Sequence, residues 1–227
     1  MSARRSILRA AIAFVLALGA TSAFAVDPAA TRLPAPGSYV LHSIQSAPEA
    51  SLLDAQGRRT SLSAYTRGAV TALGFFYSRC ADPLGCPVAW STFEETRKQA
   101  ETDPLLKGRL RLVFVSLDPN RDTPSVLRLL ETQERGGDVP WVFLAGASEA
   151  EMTPLLAAMG QDIAYETDRA GRRTGAINHM LKVFLIDPEG RVREIYSTAF
   201  LTTEGLLNDL RTLAMEFPDA SNAVTAK

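Results

Sequence analysis

Four stretches of the chain are nearly unbroken runs of apolar, β-favouring residues: 69–77, 110–116, 139–145 and 181–186. Runs without polar alternation are the kind a sheet buries on both faces. Helical patterns separate them. One spans about 88–101. A second runs to about Gln133, opened by Thr123 as N-cap and Pro124 at the first helical position. A third covers 148–159 with Ser148 as its cap, and a last helix starts at Thr202 or Thr203 and reaches about Phe217. Shorter signals predict a first strand at 38–44, a hairpin over 52–62 turning at 55–57, and a turn at Asp187-Pro188-Glu189-Gly190 leading into a strand at 191–195. Strands alternating with helices and ending in a hairpin predict an α/β three-layer sandwich around a mixed sheet. Neither an internal repeat nor a second domain is evident.

The first 25 residues have the form of an export signal. Arg4, Arg5 and Arg9 precede an apolar run from Ala10 to Ala20, and Ala23-Phe24-Ala25 has the small-x-small pattern of a cleavage site. The apolar run is short for a permanent membrane anchor. Arg4-Arg5 also resembles a twin-arginine signal, though paired arginines occur in ordinary signals too. The expectation is a periplasmic protein cleaved after Ala25, membrane-associated only if the signal is retained. Residues 26–37, with three prolines, read as a linker, 38–217 as the domain, and 218–227 as a frayed tail. Loss of three arginines with the signal moves the formal charge from −1 to −4, which argues against nucleic acid as a partner.

Chemistry concentrates where the first buried run ends. Ser78-Arg79-Cys80 is followed by Ala-Asp-Pro-Leu-Gly and then Cys86-Pro87, and these are the only two cysteines. Thiols between a buried strand and a helix N-terminus sit where backbone N–H dipoles favour thiolate. A structural disulfide closing so short a loop contributes only about 2 kcal/mol, which argues for a functional pair. Thiolates select soft metals, and two rarely complete a site. His179, in a loop just before the 181–186 strand, is the candidate third ligand. If that strand runs antiparallel to 69–77, Leu181 comes near Tyr77 and the three donors converge at one sheet edge. The loop Ser116-Leu-Asp118-Pro-Asn-Arg121-Asp122-Thr-Pro124 lies on the same edge. Its ordinary reading is capping by Asp122 or Thr123. Its functional reading gives Asp118 a bond to a group behind the thiols and Arg121 a buried ion pair that holds the loop. His42 reads as a structural histidine, and Met180 as a soft neighbour of His179.

Three blocks then resemble the Sco/SenC family of thioredoxin-like, copper-binding assembly proteins. They are Leu73-Gly-Phe-Phe-Tyr77 leading to Cys80 and Cys86-Pro87, the 116–124 loop, and His179 followed by Val183-Phe-Leu-Ile-Asp-Pro-Glu-Gly190. With the 55–57 hairpin as an N-terminal extension, they span about residues 40–215. The resemblance implies a thioredoxin-like fold and one copper ion, Cu(I) or Cu(II), held by Cys80, Cys86 and His179. Asp118, Arg121 and Asp122 would form the surrounding shell. It also implies a copper-receiving client such as cytochrome c oxidase subunit II and a partner protein that reduces the thiols. Family members usually separate their cysteines by three residues; here five intervene, so Pro83 and Gly85 must fold the loop back. The alternative reading is a thiol–disulfide oxidoreductase in which Cys80 and Cys86 act alone through a mixed disulfide.

Overall fold

A computed structural model describes residues 33–220. The export signal, the first part of the linker and the end of the tail lie outside the described residues. The central sheet has six strands in the order β1-β10-β9-β4-β5-β6. Its centre is β4 (Val70–Phe76), flanked by parallel β5 (Leu110–Ser116) and antiparallel β9 (Lys182–Ile186). Beyond β5 lies β6 (Trp141–Leu144), in parallel; beyond β9 lie β10 (Arg191–Ser197) and the two-residue β1 (Gln45–Ser46), both antiparallel. Every residue of β4 and of β5 is buried, as unbroken apolar runs require.

The sheet is flanked by α2 (Cys86–Ala100), α3 (Pro124–Gln133), α4 (Glu149–Ala158) and α5 (Thr203–Glu216), with a single turn of helix, α1 (Ser63–Thr66), ahead of β4. Two-stranded ribbons stand apart from the main sheet: β2 (Ser51–Leu53) with β3 (Arg59–Ser61), and β7 (Ile163–Thr167) with β8 (Arg173–His179). This is the mixed α/β sandwich with an N-terminal hairpin that the alternation of patterns predicts. An aromatic cluster packs between β4, β5, β6 and α2. The Phe114 ring lies 4.8 Å from Phe93 and 5.2 Å from Trp90, centroid to centroid. A Cβ at Gly74 would come within 2.7 Å of Phe114, so the glycine in β4 makes room for that ring.

Two expectations are corrected. The segment 38–44 is irregular, and pairing begins only at Gln45. Val40 and Ile44 are exposed, which leaves Leu41 as the buried anchor there, and the Leu41 carbonyl is taken by the Arg193 guanidinium (Nε to O 2.7 Å) rather than by a neighbouring strand. The region before 181–186 is also not a loop, because residues 163–179 form the β7–β8 hairpin.

One turn design recurs three times, closing β2–β3 at Asp54, β7–β8 at Asp168 and β9–β10 at Asp187. Each aspartate accepts from the N–H groups two and four residues ahead, at 2.8–3.0 Å, and pairs with the arginine four residues ahead. Each turn ends on a glycine with φ between 77° and 83°. At Asp187 the design extends inward, where the buried Arg193 also bonds Asp187 and joins it to Glu216. Burial alone would raise the Asp187 pKa. The Arg191 N–H and the two guanidinium groups outweigh it and hold the carboxyl below its ordinary value of 3.8. The stabilisation is therefore present above that value and lost as pH falls through the lower folded one. Asp187→Ala is expected to cost about 1.5–3 kcal/mol in denaturant unfolding at neutral pH, because it removes the charged hydrogen bonds from Arg191 and from the buried Arg193, which keeps Glu216. That deficit should shrink below about pH 4, as the parent loses the same contribution. A variant within experimental error of the parent at neutral pH would contradict this account.

Candidate metal centre

Strands β4 and β5 run in parallel and β9 runs against β4, so the C-terminal ends of the first two and the start of the third share one edge. The register pairs Gly74 with Val183, which brings the residues before β9 alongside those after β4. Cys80 follows β4, Cys86 is the first residue of α2, and His179 is the last residue of β8. Their ligand atoms all lie within 4.8 Å of one another. Both cysteines are free thiols in the structure.

The five-residue loop closes by local hydrogen bonding. Asp82 Oδ1 accepts from Leu84 N at 3.0 Å, and the Asp82 carbonyl accepts from Gly85 N at 3.1 Å. The Asp82 side chain folds over Gly85, where a Cβ would sit 3.2 Å from Asp82 Oδ2. An Asx-type turn thus returns the chain to the helix and sets Cys86 beside Cys80.

Electrostatics separate the two thiols. Cys86 is buried and Cys80 partly exposed. Burial, reinforced by the adjacent Cys80, pushes the Cys86 thiol up to about 12, against the lowering effect of the Tyr77 N–H. This corrects the expectation that the helix N-terminus favours thiolate: for Cys86, desolvation exceeds the dipole effect. The imidazole of His179 is held below its ordinary pKa chiefly by burial, with the Met180 carbonyl and Asp82 acting against it. It is neutral near pH 7, the form that binds metals. His179 Nδ1 lies 3.2 Å from the Met180 carbonyl, which places the proton there and leaves Nε2 with the free lone pair.

Two residues that hold the donors were given no such role by the sequence. The Tyr77 hydroxyl accepts from Ile177 N at 3.3 Å, its carbonyl accepts from Cys80 N at 3.1 Å, and its ring edge faces His179 at 6.0 Å. It therefore ties the strand bearing His179 to the cysteine loop. Gln161 Nε2 donates to the Met180 carbonyl at 3.0 Å, the same oxygen that orients His179. A Tyr between the buried run and the cysteine was the only visible hint of the first; nothing in the sequence marked Gln161.

The 116–124 loop sits behind the cysteine loop. Asp122 is fully buried and accepts from the Ser116 and Ser78 hydroxyls and from Ser78 N at 3.1 Å. Burial raises its pKa, with those hydrogen bonds opposing. Asp122 thus clamps the residue two before Cys80 and does not cap α3. Thr123 occupies the N-cap position, but its hydroxyl bonds Ser125. Asp118 is buried and pairs with Arg121 at 2.9 Å. The guanidinium of that pair is 41% exposed, so the pair is only half-buried, and it fixes the loop rather than touching the thiols. Met180 turns its side chain to solvent and serves the site through its carbonyl; His42 is exposed.

The fold and site define a class: a thioredoxin-like α/β sandwich carrying two thiols and an imidazole at one sheet edge. The sequence profile described as SCO1/SenC matches residues 44–215. The chain belongs to that family. Solved structures with the same fold include Arabidopsis thaliana ScoI with copper bound, at 18% identity and a TM-score of 0.63 over 75% of this chain and 99% of that one. Bradyrhizobium japonicum ScoI with copper bound gives 21% identity and a TM-score of 0.59 over 74% and 99%. Apo Sco1 from Thermus thermophilus gives 24% and 0.60 over 78% and 95%. Comparison with curated proteins finds no match.

The contrast between the sulfurs is directly measurable. In the reduced, metal-free protein, iodoacetamide near pH 8 should alkylate Cys80 at least about tenfold faster than Cys86, whose thiol is both buried and shifted upward. Equal rates, followed by peptide mass mapping, would contradict the burial of Cys86.

Proposed function

We propose that the chain is an exported copper-binding protein that uses Cys80, Cys86 and His179 to hold one copper ion as cargo for a client. The observation that carries this reading is the convergence of the three donors within 4.8 Å. The donor chemistry fits the ion: two thiolates and a neutral imidazole are soft enough for Cu(I), and three donors match the low coordination number of that state. The shell of Asp118, Arg121 and Asp122 would hold the loops behind the ligands. Family membership supports the same ion, as do the copper-bound ScoI structures with this fold.

The finer reading places the protein in the periplasm after cleavage at Ala25, with residues 38–217 as the working domain. The client would be the copper centre of cytochrome c oxidase, in subunit II, and a separate thiol reductant would keep Cys80 and Cys86 reduced. The pattern of Arg4, Arg5, Arg9 and the apolar run supports export. Among the described residues no helix is long and apolar enough to cross a membrane.

The rival, a thiol–disulfide oxidoreductase using the cysteines alone, is favoured by the proximity of the two sulfurs, within 4.8 Å, but gives no role to the imidazole. His179→Ala separates the two. Competition with a Cu(I) chelator should show affinity reduced by about 100-fold or more. The Cys80/Cys86 redox potential, read by equilibration with glutathione, should stay close to that of the parent. Unchanged copper affinity would overturn the chaperone reading.

A further inference from the structure

The β7–β8 hairpin stands apart from the main sheet, and among the described residues β8 pairs with β7 only. Arg173 is the first residue of β8 and His179 the last, so about 20 Å of strand separates them. Near the imidazole the ribbon is held by the buried Ile177 and by the bond from its N–H to the Tyr77 hydroxyl. At the far end the Arg173 guanidinium makes a two-pronged ion pair with Glu149, at 2.5 and 3.1 Å, and stacks 3.7 Å over the Tyr165 ring. Glu149 is the first residue of α4, and its carboxylate also accepts from Asn120 Nδ2 at 2.6 Å. Between the two ends, Arg121 lies against the strand at Gly175, with Nη2 3.4 Å from where a Cβ would stand. Asn120 and Arg121 belong to the 116–124 loop, whose Asp122 clamps Ser78 behind Cys80.

We propose that the 116–124 loop is the common mounting of both halves of the metal centre, and that Glu149 and Arg173 are positioning residues for His179. One arm runs from Asp122 to Ser78 and the sulfurs. The other runs from Asn120 through Glu149 and Arg173, then along β8 to the imidazole. A ribbon held at one point pivots about it. Fastening the far end as well fixes its angle, and with it the direction in which His179 presents Nε2 to the thiols. A lone ion pair with Arg173 half exposed would contribute little. Here the paired prongs, the aromatic ring and the Asn120 amide together select one geometry. The Glu149 carboxyl is held below its ordinary value of 4.5, first by the hydrogen bond from Arg173 and against the effect of burial. The absence of a side chain at Gly175 lets Arg121 lie along the strand and close the gap between loop and hairpin. The inference rests on the reading that His179 is a copper ligand, but not on which client receives the ion.

A double-mutant cycle on the reduced protein tests this role. Arg173→Met keeps an apolar stem against Tyr165 and removes the guanidinium. Competition with a Cu(I) chelator should show its affinity about tenfold weaker than that of the parent. In the His179→Ala background the same substitution should change affinity by less than about twofold, because the strand then carries no ligand to aim. Glu149→Gln, made on a different element, should repeat both results. The combined Glu149→Gln/Arg173→Met variant should be no weaker than either alone, since the two residues act as one unit. In copper-loaded Arg173→Met, X-ray absorption should keep the sulfur scattering while the imidazole signature weakens. Unchanged affinity in Arg173→Met, or an equal loss with and without His179, would overturn the proposal. His179→Ala alone reads the underlying assignment. If it binds copper as the parent does, the ligand reading fails; if it binds weakly while Arg173→Met matches the parent, only the positioning role fails.

Discussion

The site depends on the register of β9 against β4. Thr71 faces Ile186 and Gly74 faces Val183, a pairing fixed on both strands by side chains that have no exposed surface. A slip of one residue would turn Val183 and Leu185 to the opposite face of the sheet and disrupt the packing on both sides. The same register sets how far the chain before β9 reaches past the end of β4. His179 therefore meets Cys80 and Cys86 as a consequence of core packing, and the close contact of three polar donors is held by apolar burial around them. Tyr77 and Gln161 refine that placement, one through Ile177 and the other through the Met180 carbonyl.

Burial at this edge also sets the chemistry. Desolvation disfavours charge on Cys86 and on His179 alike, so the resting site holds a neutral imidazole and a protonated inner thiol. Such a pair is a poor nucleophile but a prepared ligand set. A soft cation would displace the thiol protons and recover in bonding what burial withholds from the thiolates. Asp122 is the counterpart on the outer side of the loop. Its carboxylate is directed at Ser78 and Ser116 rather than at the sulfurs, so it stiffens the cysteine loop without adding charge to the donor set.

Much of the fold was legible because β4, β5, β6 and β9 are buried on both faces and therefore read as uninterrupted apolar runs. The cysteine pair and its helix were legible from the Pro/Gly loop between them. The β7–β8 hairpin was not, since its strands are largely exposed and carry polar residues such as Glu166, Arg173 and Asn178. Its turn, Asp168-Arg-Ala-Gly171-Arg172, nevertheless repeats the pattern at Asp54 and Asp187, and that repetition was the available signal. The strand expected at 38–44 failed for the opposite reason. Its apolar residues look β-favouring, yet Val40 and Ile44 face solvent and the Leu41 carbonyl is satisfied by Arg193. Of the two caps the sequence offered, Asp122 and Thr123, the N-cap position falls to Thr123, and only tertiary packing brings Ser78 within reach of Asp122.

The convergence of two sulfurs and one imidazole on a single ion is the central claim. X-ray absorption at the copper edge of the reduced, copper-loaded protein tests it most directly. The account predicts a first shell of two sulfur scatterers and one nitrogen scatterer with the multiple-scattering signature of imidazole, the latter lost in His179→Ala. A shell of sulfur alone in the unaltered protein, with no imidazole signature, would contradict it.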